Sequence, residues 1–167
     1  LKADLPGGDV VDLGCGTGAL GLVVARKHRS ARLTFTDSSY SALRSAKLGW
    51  QASDLGDRAR FVAADGLDGL EERSADTVLC NPPFHEGRAV HRGVAARMFA
   101  QAARVLRPGG AFYVVGNRHL AYHVGLKRWF GTVTQVGGDK RFVVMRASEP
   151  RLPRPKTQDS GPPPGPS

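Results

Sequence analysis

Short apolar runs alternate with segments of helical spacing along the first half of the chain. The apolar runs predict buried strands, and they lie at residues 10–13, 33–36, 60–64 and 77–80. In the segments between the first three runs, apolar or small residues recur every three or four positions, at 20, 23 and 24 and again at 42, 46, 49 and 50. This spacing is typical of the buried face of a helix. Strands that alternate with helices predict parallel pairing.

The second half repeats this alternation once and then changes. The spacing of apolar residues predicts a long helix from Ala89 to Leu106, which Arg107-Pro108-Gly109-Gly110 ends. A fifth strand is predicted over residues 111–116, followed by a helix around 118–130. The last two strands, 131–136 and 141–146, are joined by Gly137-Gly138-Asp139, which predicts a hairpin.

These elements predict an α/β fold with a doubly wound, mostly parallel sheet of seven strands and an antiparallel C-terminal edge hairpin. We assign residues 1–148 to one domain and residues 149–167, rich in Pro, Gly and Ser, to a disordered tail. The chain begins without Met almost at its first motif. We therefore expect a fragment that lacks an N-terminal domain.

Composition narrows the possible partners. The net charge is +9 and the pI is near 10.3, which favours a polyanion such as nucleic acid, or an anionic membrane face. No apolar run approaches the ~20 residues of a membrane span. The two cysteines, Cys15 and Cys80, form no CxxC and have no His at ligand spacing, so we expect free thiols, no metal site and a cytoplasmic protein.

The glycine-rich turn after the first strand has two interpretations. Gly16-x-Gly18-x-x-Gly21, with Asp37 further on, matches the dinucleotide fingerprint. Read as Asp12-x-Gly14-x-Gly16-x-Gly18, the same segment has an acid at the strand end before three alternating glycines. A carboxylate there would oppose a pyrophosphate and suits a ligand with a positively charged amino-acid moiety.

Asn81-Pro82-Pro83-Phe84 directly follows the fourth predicted strand. Two prolines fix φ and remove two N–H donors, so the sheet ladder ends here. The tetrapeptide therefore holds an amide and an aromatic ring at the carboxyl end of a strand, where open α/β sheets bind ligands. An amide oxygen accepts hydrogen bonds from an amine and a ring stacks on a flat molecule, which favours a planar substrate with an exocyclic amine.

The acid and glycine pattern, with the acids that follow it, resembles the class I S-adenosylmethionine-dependent methyltransferases, a Rossmann-like family. The resemblance implies S-adenosylmethionine as cofactor, with Asp37 on the ribose hydroxyls and Asp65-Gly66 at the adenine amino group. The residues that it implies for cofactor binding are Asp12, Gly14, Gly16, Gly18, Asp37, Ser38, Asp65, Gly66 and Asn81. The sequence allows either Ser38 or Ser39 to cap the helix that follows the second strand.

Asn81-Pro82-Pro83-Phe84 is similar to the motif of methyltransferases that modify conjugated amino or amide nitrogens. The resemblance implies three catalytic residues. Asn81 Oδ1 and the Pro82 carbonyl would accept the two N–H groups of the amine, and Phe84 would stack on the base. Since a base inside a duplex is inaccessible, the target is expected to be unpaired or flipped out.

Further motifs resemble the bacterial ribosomal RNA guanine-N2 methyltransferases, over about residues 8–147. They are His85-Glu86-Gly87, Asn117-Arg118-His119-Leu120, Leu126-Lys127-Arg128-Trp129-Phe130-Gly131 and Lys140-Arg141-Phe142-Val143-Val144. The large-subunit enzymes are more similar than the small-subunit ones, chiefly through residues 117–120. The resemblance implies methyl transfer to guanine N2, ribosomal RNA or a ribosomal subunit as partner, a monomer, and a catalytic domain that follows an N-terminal copy of the fold.

Four basic residues flank the predicted site. Arg88 and Arg92 follow the catalytic loop, and Arg118 and His119 follow the fifth strand, so all four are expected at the rim of the pocket, where they would contact RNA phosphates. A solvated helix face and a helix cap explain them equally well.

Three other functions remain possible at this point. The first is methylation of a protein glutamine amide or of adenine N6, although those enzymes usually have Tyr at the position of Phe84. The second is a catalytically silent methyltransferase fold that binds RNA. The third is an NAD-dependent dehydrogenase, which would leave Asn81-Pro82-Pro83-Phe84 unexplained.

Overall fold

A computed structural model describes residues 7–82 and 88–151, and the side chains of residues 88–92 lie outside that description. Seven strands form one sheet in the order β3-β2-β1-β4-β5-β7-β6. The elements in chain order are β1 (Asp9–Leu13), α1 (Ala19–Lys27), β2 (Arg32–Asp37), α2 (Tyr40–Gln51), β3 (Ala59–Ala63), β4 (Ala75–Cys80), α3 (Arg88–Val105), β5 (Leu106–Asn117), a 3₁₀ turn (Arg118–Leu120), α4 (Tyr122–Leu126), β6 (Phe130–Gly138) and β7 (Phe142–Pro150).

The pairing confirms the predicted topology. Strands β1 to β5 are all parallel, and β7 runs antiparallel to both β5 and β6. The central pairs are in register at their carboxyl ends, with Leu13 beside Cys80 and Cys80 beside Val114. The segments that leave β1, β2, β3, β4 and β5 therefore emerge at one edge of the sheet.

Two apolar layers hold the helices against the sheet. On one face, Phe99 of α3 packs edge-on against Phe112 of β5 at a centroid distance of 5.8 Å. On the other face, Phe35 of β2 packs against Trp50 of α2, also at 5.8 Å, and stacks on Phe61. Burying aromatic side chains removes a large apolar area from water and dominates such cores.

The prediction of one continuous helix around residues 118–130 was wrong. A 3₁₀ turn and a five-residue α4 occupy this segment, separated by Ala121, whose φ of 48° is left-handed. A residue with that backbone conformation cannot continue a right-handed helix. Trp129 closes the segment, because its N–H donates to the Leu126 carbonyl at 2.9 Å just before β6 begins.

The sheet also extends beyond the boundary predicted at residue 149. Phe130 of β6 pairs with Pro150 of β7, and the Arg151 N–H donates to the Trp129 carbonyl at 2.7 Å. Glu149 and Pro150 therefore belong to β7, whereas residues 152–167 of the predicted tail lie outside the described residues.

No helix in the described part of the chain is long and apolar enough to cross a membrane. Cys15 and Cys80 are both buried and neither forms a disulfide, as the sequence predicted.

Candidate active site

The glycine turn follows β1 and Asn81 follows β4, and these two strands are neighbours in the sheet. Because Leu13 and Cys80 are paired in register, the next residues, Gly14 and Asn81, are the first beyond the sheet on β1 and β4. Asn81 is exposed, Cys80 is fully buried, and Pro82 is buried. The predicted amine-binding motif thus starts directly beside the predicted cofactor turn. Phe84, its third predicted member, lies outside the described residues.

The glycines of the turn are required for different reasons. Gly14, Gly16 and Gly18 have φ of 63°, 52° and 76°, a left-handed conformation that glycine adopts without steric cost. A Cβ at Gly18 would lie 2.9 Å from the Ala46 Cβ, so α2 packs directly on the turn. A Cβ at Gly16 would meet no atom within 4 Å. Open space therefore borders the turn at Gly16, where a ligand has room.

Asp12 is the only carboxylate among the described residues that is almost fully buried, with 1% exposure. Its Oδ2 accepts a hydrogen bond from the Gly21 N–H at 2.8 Å, and no described side chain forms a salt bridge with it. Burial raises the pKa of Asp12 to about 7; the Gly21 hydrogen bond opposes this rise and nearby Asp37 adds to it. A buried carboxylate without a cation is costly, which indicates a ligand that brings positive charge.

Asp37 links the end of β2 to the glycine turn. Its Oδ2 accepts from the Gly16 N–H and its Oδ1 from the Ser39 N–H, both at 2.9 Å. The structure decides the helix cap between the two serines: Ser39 Oγ accepts from the Ala42 N–H at 3.3 Å. Ser38 is exposed and takes no part in capping.

The loop that carries Asp65 and Gly66 is held by one face of α3. Arg97 binds both carboxylate oxygens of Asp65, at 2.5 and 2.6 Å. Gln101 accepts from the Leu67 N–H at 3.2 Å and donates to the Asp65 carbonyl at 3.1 Å. Arg104 donates to the carbonyls of Leu67 and Leu70, at 2.9 and 2.8 Å. We call Arg97, Gln101 and Arg104 the α3 polar stripe.

Sequence reasoning did not identify the α3 polar stripe. Its residues are spaced i, i+4 and i+7, so they share one helix face next to the apolar face that packs on the sheet. The spacing can be read from the sequence. The hydrogen-bond partners cannot, because they are mostly backbone groups more than 30 residues earlier in the chain. Gly66 depends on the same face, since a Cβ there would overlap the Gln101 side chain.

Of the four predicted RNA contacts, only two have described side chains. Arg118 and His119 form the exposed 3₁₀ turn after β5, at the same edge of the sheet as Asn81. The Arg118 guanidinium donates to the Asp139 carbonyl at 2.6 Å. Arg88 and Arg92 belong to α3, but their side chains lie outside the described residues. Within the described ranges, no three His, Cys, Asp or Glu side chains cluster as metal ligands would.

The chain is similar to known proteins in both sequence and fold. The model of the methyltransferase small domain family matches residues 1–146. The chain is 50% identical to "Ribosomal RNA large subunit methyltransferase G" of Streptomyces coelicolor over 138 residues, and 50% identical to the protein of the same name from Pseudomonas putida (strain GB-1) over 148 residues. These alignments cover 83% and 88% of this chain.

Among solved structures, the chain is similar to the T. thermophilus 16S rRNA N2 methyltransferase RsmC in complex with AdoMet and guanosine. The TM-score is 0.72 and the identity 32%, over 84% of this chain and 37% of that chain. The chain likewise spans only 37% and 39% of the two curated relatives.

Proposed function

We propose that this chain, which belongs to the methyltransferase small domain family, transfers a methyl group from S-adenosylmethionine to the exocyclic N2 amine of a guanine in ribosomal RNA. The observation that carries the proposal is the register of β1 and β4. Because Leu13 is paired with Cys80, Asn81, the first residue of the predicted amine-binding motif, comes directly beside Gly14 of the glycine turn.

The residues at the turn fit this cofactor. Asp12 is a buried carboxylate without a cationic partner, which suits a ligand with an ammonium group and a sulfonium. Asp37 lies at the end of β2, where its oxygens retain lone pairs for ribose hydroxyls beyond the two N–H bonds that they already accept. Asp65 and Gly66 would meet the adenine amino group, and the open space at Gly16 leaves room for the cofactor.

When bound, S-adenosylmethionine supplies an electrophilic methyl group. The side chain of Asn81 and the carbonyl of Pro82 accept the two N–H groups of the substrate amine and aim its nitrogen at that methyl. Such alignment contributes up to several kcal/mol, and acceptors placed where positive charge develops on nitrogen add to it. No strong base is needed, because the proton of the product amine leaves to water.

The choice of guanine N2 in ribosomal RNA rests on the relatives. Two that are 50% identical are named ribosomal RNA large subunit methyltransferases, and RsmC was solved with guanosine. A net charge of +9 supports a polyanionic substrate. We place the reaction in the bacterial cytoplasm and expect the protein to act as a monomer.

The decisive test is to incubate the protein with methyl-labelled S-adenosylmethionine and ribosomal RNA that lacks its natural methylation. We expect label in RNA, recovered after digestion as N2-methylguanosine. Label in N6-methyladenosine or in protein glutamine would assign a different substrate. If S-adenosylmethionine and RNA both bind but no substrate is labelled, the chain is a catalytically silent fold that binds RNA.

Replacing Arg97 with glutamine is expected to weaken S-adenosylmethionine binding about fivefold to tenfold, since the loss of a charge-assisted pair leaves the Asp65 carboxylate unoriented. Stability should change by less than about 1 kcal/mol, because exposed ion pairs contribute little, and Arg97 and Asp65 are 51% and 57% exposed. Calorimetric titration and thermal unfolding measure the two effects. Arg29→Gln, at an exposed position beyond α1, is the matched control. Equal cofactor affinity in both variants would contradict a positioning role.

A further inference from the structure

Two sequence motifs without a role in methyl transfer meet at the end of the sheet. Asn117 of β5 pairs with Phe142 of β7, and the next N–H, of Arg118, donates to the Arg141 carbonyl at 3.0 Å. The segments Asn117-Arg118-His119-Leu120 and Lys140-Arg141-Phe142 therefore form one surface. We call it the hairpin surface and define it by Arg118, His119, Lys140, Arg141 and Phe142.

The hairpin surface is held rigidly by Asp139. Its Oδ1 accepts from the N–H groups of Arg141 and Phe142, at 2.7 and 2.8 Å. Those hydrogen bonds lower the pKa of Asp139, and the bond from the Phe142 N–H has the larger effect. The Arg118 guanidinium, predicted from the sequence to contact phosphate, instead donates to the Asp139 carbonyl at 2.6 Å and ties the hairpin to the end of β5.

An aromatic ring lies exposed among cations on this surface. Phe142 is 41% exposed, at the start of a strand whose next residue, Val143, is buried. Lys140 and Arg141 are exposed, and neither side chain makes a hydrogen bond or salt bridge to another described residue. The Asp139 carboxylate interacts electrostatically with Arg118 and Arg141, so it offsets part of the positive charge of the surface but not all of it. A rigid ring beside an excess of cations is the combination with which proteins hold single-stranded nucleic acid, because the ring stacks on any base and the cations follow the phosphates.

The position of the surface relative to Asn81 fits a neighbouring nucleotide. Cys80 is in register with Val114, so Asn117 lies about two residues beyond the level of Asn81, or roughly 7 Å along the strand direction. Phe142 is two strands away from β4, which is roughly 10 Å across the sheet. The combined separation, about 12 Å, is within reach of a nucleotide one or two positions from the one bound at Asn81.

We propose that the hairpin surface binds the single-stranded RNA that flanks the target guanine. Phe142 stacks on a flanking base, Lys140 and Arg141 contact the phosphates, and Arg118 keeps the hairpin in place. The inference rests on the proposed function, which supplies RNA as the substrate. It adds a binding surface outside the amine and cofactor sites.

Binding of a twelve-residue oligouridylate tests the surface apart from methyl transfer, since this RNA contains no guanine. Fluorescence anisotropy would be measured from 50 to 200 mM salt for the protein, Phe142→Leu, Phe142→Trp, Arg141→Gln and the control Arg146→Gln. Arg146 lies on the same strand, beside Tyr113 of β5, and is not part of the hairpin surface. S-adenosylmethionine affinity reports whether each variant is folded.

We expect Phe142→Leu to weaken binding by roughly 5- to 100-fold without changing its salt dependence, because a lost stack is not ionic. Phe142→Trp should restore affinity. Arg141→Gln should lower the slope of log affinity against log salt by about 0.7, the value for one phosphate contact on a single strand. Arg146→Gln should change neither quantity.

Failure of this inference is distinct from failure of the proposed function. If the protein methylates RNA but does not bind oligouridylate, or if Phe142→Leu binds it as tightly as the unmodified protein, the hairpin surface is not a stacking site. Loss of affinity in Arg141→Gln but not in Phe142→Leu would indicate a general anion-binding surface, such as one for an acidic protein, and would also overturn the proposal. Absence of methyl transfer alone would overturn only the proposed function.

Discussion

Replacing Asn81 with alanine is expected to reduce the rate of methyl transfer roughly 100- to 1000-fold, which is the effect of removing one preorganised hydrogen-bonding group from other active sites. The amine nitrogen of guanine has a delocalised lone pair and is a poor nucleophile, so its orientation decides the rate. Asn81 is exposed directly beyond a fully buried strand end, where truncation of its side chain removes an acceptor without opening a cavity in the core.

Cofactor affinity separates this role from a structural one. For Asn81→Ala we expect the dissociation constant for S-adenosylmethionine to stay within a few fold, since Asp12, Asp37 and the glycine turn are intact. Single-turnover transfer of the labelled methyl group measures the rate, and calorimetry measures the affinity. Asn81→Asp, which keeps an acceptor oxygen at this position, should retain more activity than Asn81→Ala. Unchanged turnover in Asn81→Ala would rule out amine orientation by this residue.

Replacing Asp12 with asparagine is expected to stabilise the fold above pH 7 and to weaken cofactor binding at the same time. The pKa of Asp12 in the folded protein is about 7, against an ordinary value of 3.8. Between these values the folded chain keeps a proton that the unfolded chain releases, so the free energy of unfolding falls as pH rises from about 4 to 7 and then levels off. The loss is on the order of 4 kcal/mol, from about three pKa units at 1.36 kcal/mol each.

Asparagine presents an oxygen to the Gly21 N–H without the charge, so the variant should not show this fall. Urea denaturation at pH 5 and pH 8 measures the difference, with Asp57→Asn, at an exposed loop position, as the control for removal of a carboxylate. The cofactor should bind the Asp12→Asn variant less tightly, because its positive groups lose their counter-charge. If the variant is destabilised equally at both pH values, the buried charge is not what limits the stability of the fold.

The strands and their mostly parallel pairing were predictable because each strand depends on a local pattern. A short apolar run that ends in Asp, Gly or Asn-Pro marks a parallel strand and the polar residues at its carboxyl end. Parallel pairing then brings those ends together, which is why Asp12, Asp37, Asp65 and Asn81 lie along one edge, as expected.

What could not be predicted depends on contacts distant in sequence or on single backbone angles. Ala121 is compatible with a helix by propensity, and only its left-handed backbone divides the segment that was predicted to be one helix. Glu149 and Pro150 have tail-like composition, yet the pairing of Phe130 with Pro150 adds them to the sheet. The partners of Gln101 are set by the course of a loop that it meets only after folding.

The α3 polar stripe has a consequence for the order of binding. Helix α3 begins at Arg88, directly after the segment that carries Phe84, and farther along its length it holds Asp65 at the predicted adenine site. Arg88 and Arg92 of the same helix are predicted RNA contacts, so a cofactor that fixes α3 through Asp65 would also favour RNA binding, and the two ligands would bind cooperatively. By linkage, RNA must then raise the affinity for S-adenosylmethionine by the same factor as the cofactor raises that for RNA. The methylated RNA would then dissociate more readily once S-adenosylhomocysteine has left, so α3 would couple methyl transfer to product release.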